Sequence, residues 1–452
     1  MAQFDLIVIG AGPGGYETAL LAAERGKKVL LVNGGRLGGT CLNAGCIPTK
    51  CMVRDAAVVS MMKDPEEFGV ANVSFDVDFS RVVERRNKVV SSLREGIDAL
   101  LKRAKVSVVE GFASFVDASS IRVNDEVYSA SDIIIATGSE SKSIPVPGAD
   151  EKWVLDSTDI LSIDYIPRSL TIVGGGVIGL EFASVFNAFG SEVTVVEFLK
   201  NIAPTFDSDI SKRLKQSLSK RGVKVLTGAA VKRIEKNEEG QIVTWFDLKG
   251  KEDSVLSSDI LMAVGRRPNV DGLNLEAAGV EFSPRGIPVD DMMRTNVPHI
   301  YAIGDVNARM MLAHVATYQG KRALNAIDGI SDDIRFDVIP AALFTAPECG
   351  MVGVTEDAAK ETGIDIKVGK SFYRANGKAL AGGESDGLCK LIFEAATDRL
   401  IGAHIMGAEA AILAQQCADF ITLGATRQAI SDTVFGHPTL SEVVLAAVNS
   451  VH

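Results

Sequence analysis

Residues 7–33 read IVIGAGPGGYETALLAAERGKKVLLVN, and residues 171–197 read TIVGGGVIGLEFASVFNAFGSEVTVVE. Each stretch runs from an apolar strand through G-x-G-x-x-G and a helix to a second apolar strand, the pattern of a dinucleotide-binding βαβ unit. The second glycine lets a pyrophosphate approach the backbone, and the helix N-terminus faces its charge. A shift of 164 positions places four glycines on four others: Gly10, Gly12, Gly15 and Gly26 on Gly174, Gly176, Gly179 and Gly190. This internal repeat predicts an α/β protein with two dinucleotide sites.

The two repeats end on different residues. Glu197 closes the second, where a carboxylate accepts hydrogen bonds from a ribose 2′-OH and repels a 2′-phosphate, so NAD is favoured over NADP. A solvated strand-end charge is the alternative interpretation of Glu197. Asn33 stands at the matching position of the first repeat. Its amide oxygen can accept a ribose hydrogen bond without charge assistance, which predicts a weaker contact there.

The segment GGRLGGTCLNAGCIPTK, residues 34–50, contains Cys41 and Cys46. On a regular helix this spacing rotates the two side chains about 140° apart, too far for a disulfide. Asn43 and Gly45 between them indicate an irregular helix start instead, and a cysteine at a helix N-terminus has a lowered thiol pKa. A zinc site would need a second Cys or His pair nearby, and none is present. A structural disulfide is unusual in a cytosolic enzyme, so a redox pair is favoured.

Composition narrows the class of protein. The chain has 452 residues, enough for two to four domains, and a formal net charge of −11, which argues against nucleic acid and anionic membrane partners. No apolar run reaches the roughly 18 residues that span a bilayer. A strand begins almost at the N-terminus, and six cysteines are too few for a secreted scaffold held together by disulfides, so we expect a cytoplasmic protein. We expect Cys51 to be a small buried residue.

The segment GGTCLNAGCIPTK resembles the redox loop of the pyridine nucleotide–disulfide oxidoreductases. Further motifs of that family recur in order: ATGS at 136–139, VGRRPN at 264–269, YAIGDV at 301–306, MLAH at 311–314, FTAPE at 344–348 and HPTLSE at 437–442. The resemblance implies two Rossmann-like dinucleotide-binding domains plus a C-terminal α+β dimerisation domain. The expected boundaries are 1–143 and 265–334 for the FAD domain, 144–264 for the NAD domain and 335–452 for the interface domain.

The resemblance also implies FAD on the first repeat, NAD on the second, and no metal. Asp305 is expected on the ribityl chain of FAD, and Leu312, Ala313 and His314 near the flavin through their backbones. The other expected FAD contacts are Gly10, Gly12, Pro13, Gly14, Gly15, Asn33, Gly39, Thr40, Lys50, Ala113, Thr137, Gly138, Ser139 and Met311. The expected NAD contacts are Gly174, Gly176, Val177, Ile178, Gly179, Glu181, Glu197, Val231 and Gly265.

Four further expectations concern catalysis and assembly. Lys50 is expected near the flavin, paired with Glu181, because burying a lone charge is costly. His437 is expected to act as a base from the partner subunit of a homodimer, with Glu442 orienting its ring and a cis bond before Pro438. The chain reads FGHPT where many relatives read HAHPT, which leaves substrate specificity open.

The implied reaction is oxidation of protein-bound dihydrolipoamide by NAD⁺, on a lipoyl-bearing protein of a 2-oxo acid dehydrogenase or glycine cleavage complex. A glutathione-reductase-like enzyme would use NADPH and want bases after the second repeat, where only Lys200 is found. Mercuric reductases carry a C-terminal cysteine pair, soluble transhydrogenases lack the redox pair, and neither pattern fits. The remaining alternative is a mainly structural subunit whose flavin has no catalytic role. This alternative is disfavoured because the chain contains all four expected catalytic residues, Cys41, Cys46, His437 and Glu442.

Overall fold

The computed structural model describes residues 2–451 and divides them into two compact units. Unit 1 comprises residues up to Cys51, Arg81–Lys142 and Gly265–Ile334, and unit 2 comprises Met52–Ser80, Ser143–Val264 and the residues from Arg335 onward. The predicted three-domain division stays a prediction. Within the described residues, no helix combines the length and apolar character needed to cross a bilayer.

The strands and helices are numbered in chain order. The strands are β1 Ala2–Ile9, β2 Val29–Asn33, β3 Ser107–Glu110, β4 Ala113–Asp117, β5 Ser120–Val123, β6 Glu126–Ile135, β7 Ser139–Ser141, β8 Val154–Leu155, β9 Ser169–Val173, β10 Glu192–Glu197, β11 Lys224–Thr227, β12 Ala229–Lys236, β13 Ile242–Leu248, β14 Lys251–Ser257, β15 Asp259–Met262, β16 Arg266–Pro268, β17 Ile300–Ala302, β18 Ala341–Leu343, β19 Cys349–Gly353, β20 Ile366–Phe372, β21 Leu388–Glu394 and β22 Leu400–Met406. The helices are α1 Pro13–Glu24, α2 Gly39–Ala44, α3 Cys46–Lys63, α4 Phe79–Arg103, α5 Val177–Phe189, α6 Ser208–Lys220, α7 Ala313–Asp328, α8 Glu356–Thr362, α9 Gly377–Ala381, α10 Ala410–Thr422, α11 Arg427–Ser431 and α12 Glu442–Asn449. Short 3₁₀ turns cover Pro65–Phe68, Leu275–Ala278, Gly304–Asn307 and Tyr373–Ala375.

Unit 1 is built on a sheet in the order β3-β2-β1-β6-β5-β4, with β17 pairing β6. Strands β1, β2, β3, β6 and β17 run parallel, and β4 and β5 form an antiparallel extension. Leu6, Ile7 and Val8 are fully buried because a parallel sheet is covered on both faces. The carboxyl ends of these strands therefore form one edge, where ligands bind in open α/β sheets.

The dinucleotide-binding part of unit 2 repeats this construction. Its sheet has the order β11-β10-β9-β15-β8, and neighbouring strands run parallel. Val173 pairs with Val196 as Ile9 pairs with Val32 in unit 1, which reproduces the spacing of 164 residues strand for strand. The register of the two folded repeats thus agrees with the register of the sequence repeat.

The C-terminal part of unit 2 is an antiparallel sheet in the order β18-β19-β22-β21-β20. Helices α10 and α12 cover it closely at two glycines: a Cβ on Gly350 would overlap the backbone carbonyl of Ala410, and one on Gly369 that of Ala447. This arrangement gives the C-terminal part its own core.

A buried ion-pair cluster joins the two parts of unit 2. Lys390 on β21 is only 1% exposed, and its Nζ lies 2.8 Å from Asp207 Oδ1, 2.7 Å from Glu356 Oε2 and 3.0 Å from Asp209 Oδ2. Asp207 is fully buried and also caps α6 by accepting a hydrogen bond from the Asp209 amide. Because each charge has an opposite partner, the cluster avoids the cost of an isolated buried charge.

Candidate active site

The two glycine-rich turns are shaped to admit a ligand at the backbone. Gly10 and Gly174 have φ of 111° and 113°, and a Cβ on either would overlap a carbonyl of the neighbouring strand end. Gly12 and Gly176 cap helices α1 and α5 without a side-chain hydrogen bond, and neither helix has an acidic residue in its first turn. The first amide groups of both helices are therefore left to an anionic ligand, which fits a pyrophosphate. The first turns contain the predicted contacts Pro13, Gly14, Gly15, Val177, Ile178 and Gly179.

Glu197 at the end of β10 is buried rather than solvated. Its Oε2 accepts a hydrogen bond from the Gly175 amide at 2.5 Å, and its Oε1 accepts one from the Leu199 amide at 2.6 Å. These bonds hold a carboxylate beside the glycine-rich turn. The alternative of a solvated strand-end charge is wrong.

The redox loop begins directly against the first glycine-rich turn. The Gly38 amide donates to the Ala11 carbonyl at 2.9 Å. A Cβ on Gly39 would lie 2.6 Å from Gly12 Cα, so only glycine permits this approach. The loop that carries the cysteines is thereby fixed at the predicted pyrophosphate site.

Gly45 separates the two cysteines into different helices. Cys41 lies in α2, which ends at Ala44, and Cys46 is the first residue of α3. A Cβ on Gly45 would lie 2.9 Å from the Thr40 carbonyl oxygen, so a larger residue would strain the junction. The irregular helix start inferred from the spacing is confirmed.

The two thiols interact with each other. Cys41 is half-buried and Cys46 is exposed. A hydrogen bond to Cys46, followed by burial, raises the pKa of Cys41 well above its usual range, although Lys50 opposes this. The other four cysteines are buried, as expected for Cys51.

Asn43 is a site residue whose contacts the sequence did not reveal. Its Nδ2 donates to the carbonyls of Leu37 and Gly39, each at 2.9 Å. The side chain thus ties the start of the redox loop to the segment between the cysteines. The only sequence signal was an amide residue inside the Cys-x₄-Cys spacing.

The ATGS and GD motifs meet in unit 1. Ser139 Oγ donates to Asp305 Oδ2 at 2.5 Å, and Arg266 donates through Nε to Ser139 Oγ at 2.7 Å and through Nη2 to the Ser139 carbonyl at 2.6 Å. Thr137 Oγ1 donates to the Asn269 carbonyl at 2.7 Å. Arg266 and Asn269 belong to the VGRRPN motif. This motif therefore holds the ATGS motif in place, a role that its sequence alone did not indicate.

The MLAH motif forms the N-terminus of a long helix. Leu312 is the N-cap residue of α7, and its side chain makes no capping hydrogen bond. The first turn of the helix contains no acidic residue. The backbone amides of Ala313 and His314 are therefore the first two N–H groups of the helix. Their position fits the predicted approach of this backbone to the flavin ring.

His437 and Glu442 form a pair near the C-terminus. His437 Nδ1 lies 3.0 Å from Glu442 Oε1, and Glu442 Oε2 accepts a hydrogen bond from the Thr439 amide at 2.8 Å. The Thr439 amide first, and then His437, lower the pKa of Glu442, so its carboxylate stays charged beside the ring. The His437–Pro438 bond is cis, as predicted. The His437 side chain is 79% exposed.

The remaining predicted residues lie on both units. Lys50 is on α3, and Glu181 is buried on α5, where its Oε1 accepts a hydrogen bond from the Phe344 amide at 3.0 Å. The pairing of Lys50 with Glu181 stays a prediction, as does the approach of His437 to the cysteines. Thr40 follows Gly39 in α2, Ala113 begins β4, Val231 lies on β12, Gly138 and Gly265 have positive φ, and Met311 precedes the α7 cap.

Comparison with known proteins gives consistent matches along the chain. The family model described as pyridine nucleotide-disulphide oxidoreductase matches residues 4–320, and the dimerisation domain of the same family matches residues 339–448. The dihydrolipoyl dehydrogenase of Staphylococcus aureus is 41% identical, covering 98% of this chain and 96% of the relative. One from Bacillus subtilis (strain 168) is 42% identical over the same shares.

A solved structure supports the same fold. The Cu(II) complex of the HOCl-induced flavoprotein disulfide reductase RclA from Escherichia coli superimposes with a TM-score of 0.89 at 29% identity, covering 99% of each chain. The predicted α/β fold class is confirmed. This chain belongs to the pyridine nucleotide-disulphide oxidoreductase family.

Proposed function

We propose that this protein is a dihydrolipoyl dehydrogenase, which oxidises protein-bound dihydrolipoamide with NAD⁺. Its cofactors are FAD and NAD, as the sequence indicates. The observation that carries the proposal is the placement of Cys41 and Cys46. They are the two cysteines of six that are not buried, they interact with each other, and their loop starts against Gly12 of the first glycine-rich turn.

The cofactor sites are assigned by the donor groups that the chain offers. The first repeat would hold FAD through the uncapped amides at Gly12, the Asp305 carboxylate and the N-terminus of α7. The second would hold NAD through the uncapped amides at Gly176 and the Glu197 carboxylate. When bound, FAD and NAD⁺ supply the successive two-electron acceptors that return the cysteine pair to its disulfide.

The protein's first task is a thiol–disulfide exchange. His437 takes the proton from one substrate thiol, and the resulting thiolate attacks the Cys41 sulfur of the Cys41–Cys46 disulfide. A substrate–Cys41 bond forms, the bond to Cys46 breaks, and Cys46 leaves as a thiolate.

The second task is release of the oxidised product. The second substrate thiol attacks the substrate sulfur bound to Cys41, so that lipoamide closes and the bond to Cys41 breaks. The proton of this second thiol passes to the Cys41 sulfur, while His437 keeps the first proton. Two electrons then remain on the cysteine pair, and the Cys46 thiolate would pass them to bound FAD. Glu442 holds the His437 ring through Nδ1 and leaves Nε2 to exchange the proton.

The chain carries a dimerisation domain, which supports a homodimer. We further propose that His437 serves the cysteines of the partner subunit, and that the substrate is the lipoyl-bearing protein of a 2-oxo acid dehydrogenase or glycine cleavage complex. The absence of structural disulfides among the six cysteines supports a cytoplasmic location.

The test is a set of initial rates with purified holoenzyme. Dihydrolipoamide plus NAD⁺ should be turned over far faster than glutathione disulfide plus NADPH. The Cys46→Ser variant should lose lipoamide turnover and the long-wavelength absorbance that a thiolate gives with oxidised flavin in the two-electron-reduced enzyme, while Cys51→Ala keeps both. Preference for glutathione disulfide, or normal lipoamide turnover in Cys46→Ser, would overturn the proposal.

A further inference from the structure

The two repeats place a carboxylate on different strands. In the second repeat, Glu197 ends the second strand and lies opposite Thr227 on the third. In the first repeat, Asn33 ends the second strand and lies opposite Glu110 on the third. The parallel register is the same in both, so the acidic residue of the first repeat stands one strand away from its usual position.

A direct hydrogen bond joins the two residues of the first repeat. Asn33 Nδ2 donates to Glu110 Oε2 at 2.8 Å and to the Gly35 carbonyl at 3.1 Å. Asn33 is 4% exposed, so its amide is fixed, whereas the Glu110 side chain is exposed to solvent and to any ligand at this edge. Both N–H groups of the amide are used, and Asn33 presents only its oxygen as a further acceptor.

The Asn33 oxygen makes a weaker contact than its counterpart. It accepts from the Gly35 amide at 3.4 Å, whereas Glu197 accepts from Leu199, the residue at the matching position, at 2.6 Å. Asn33 therefore replaces the acid only partly. The charge that a ribose hydroxyl would meet at this edge belongs to Glu110.

The backbone around Glu110 is held in place. Asn124 Nδ2 donates to the Glu110 carbonyl at 3.1 Å, and the Gly111 amide donates to the Asn33 carbonyl at 2.9 Å. Because the main chain and one carboxylate oxygen of Glu110 are both fixed, the side chain is preorganised to accept a hydrogen bond with its other oxygen.

We propose that Glu110 supplies the carboxylate that position 33 lacks, accepting the 2′-OH of the adenosine ribose of FAD, and that Asn33 is the positioning residue that holds it there. This inference rests on the proposed binding of FAD by the first repeat. A charge-assisted hydrogen bond is about twice as strong as a neutral one, so the loss of this charge should weaken FAD binding by roughly tenfold.

The experiment titrates apoprotein with FAD and with its 2′-deoxyadenosine analogue, following flavin fluorescence. The native protein should prefer FAD, and Glu110→Gln, which keeps only a neutral acceptor, should bind FAD roughly tenfold more weakly and show a smaller preference. The double variant Asn33→Glu, Glu110→Gln, which returns the acid to the second strand, should regain the preference. Asp125→Asn, which removes an exposed carboxylate elsewhere in unit 1, should behave as the native protein. Circular dichroism checks that each apoprotein is folded.

A Glu110→Gln protein that keeps the full preference for FAD overturns the role of Glu110, as does a native protein that binds both compounds equally. Glu197→Gln separates this failure from that of the underlying assignment. If Glu197→Gln weakens FAD binding and Glu110→Gln does not, FAD occupies the second repeat and the proposed cofactor placement is wrong. If Glu197→Gln weakens only NAD binding, the placement stands whatever happens at Glu110.

Discussion

The Nδ1 atom of His437 lies 3.0 Å from Oε1 of Glu442 across a cis proline. The other carboxylate oxygen is engaged by the Thr439 amide, so the acid is fixed at both ends. A ring held in this way donates from Nδ1 and presents Nε2 as the proton acceptor. The proposed base and its orienting acid therefore lie within six residues of one chain.

Replacing His437 should slow only the thiol chemistry. We expect His437→Gln to reduce the rate of flavin reduction by dihydrolipoamide by about 10²–10⁴-fold, the usual contribution of a general base. Flavin reduction by NADH should be unchanged, since that hydride transfer needs no thiol proton. Stopped-flow absorbance separates the two half-reactions, and His299→Gln in unit 1 is the control. Equal slowing of both half-reactions would show a structural effect.

Replacing Glu442 should weaken the same base without removing it. An amide cannot stabilise the imidazolium as a charged carboxylate does, so Glu442→Gln should slow the dithiol half-reaction by at least about tenfold. Because the pKa of Glu442 is depressed, its contribution is present at neutral pH and is lost as pH falls through that depressed value. A pH–rate profile that matches the native one, with Glu384→Gln as the control, would contradict this role.

The glycine between the cysteines should not tolerate a methyl group. Gly45→Ala brings a Cβ to 2.9 Å from the Thr40 carbonyl oxygen, so the backbone must shift. Such overpacking costs about 1–3 kcal/mol of unfolding free energy. Urea denaturation measures the loss, and slower exchange between the cysteine pair and dihydrolipoamide should accompany it. Gly96→Ala, in open space within α4, should be neutral or stabilising. If Gly45→Ala kept the native stability and the native rate of exchange with dihydrolipoamide, the junction would tolerate a methyl group and the prediction would be wrong.

Removing Lys390 should leave a fully buried carboxylate, Asp207, without its cation. We expect Lys390→Ala to lower the free energy of unfolding by about 3–5 kcal/mol, as when one partner of a buried ion pair is deleted. Lys360→Ala removes an exposed cation from Glu356 in the same cluster and should lower the stability far less. Similar losses in the two variants would show that burial does not govern this cluster.

The effect of Lys390→Ala should depend on pH. Hydrogen bonds from Lys370 and Lys390 lower the pKa of Asp209 to about 2, and those from Lys360 and Lys390 lower that of Glu356 to about 2. A depressed carboxyl pKa gives stability that is fully present above the ordinary carboxyl pKa and is lost as pH falls to the depressed value. The difference in stability between the native protein and Lys390→Ala should therefore be largest near neutral pH and shrink between about pH 4 and pH 2.

The sequence predicted the two βαβ units because their signals are local. A glycine-rich turn, an apolar strand and a helix follow one another within about 27 residues, and the pairs Ile9 with Val32 and Val173 with Val196 follow directly from that pattern. The junction at Gly45 was also predicted, since a spacing of five excludes a continuous helix between bonded cysteines. The His437–Glu442 pair could also be predicted, because the two residues lie five positions apart in one short motif.

Other features depend on residues far apart in sequence. Lys390 meets Asp207 across 183 positions, and Asn33 meets Glu110 across 77. No periodicity or motif reports which strand end lies beside another, because that follows from sheet order. Arg266 was placed in a motif, but its hold on Ser139 became visible only when β7 and β16 paired. The Lys50–Glu181 pair remains a prediction for the same reason.

The His437 side chain is 79% exposed within the single subunit. If the base of one subunit serves the cysteines of the other, two inactive variants should complement each other. Dimers of one Cys46→Ser chain and one His437→Gln chain contain one site with both an intact cysteine pair and an intact base. Random reassociation of equal amounts should then restore about a quarter of the native activity. Mixtures that stay inactive after exchange of subunits would place the base and the cysteines of each site on the same chain.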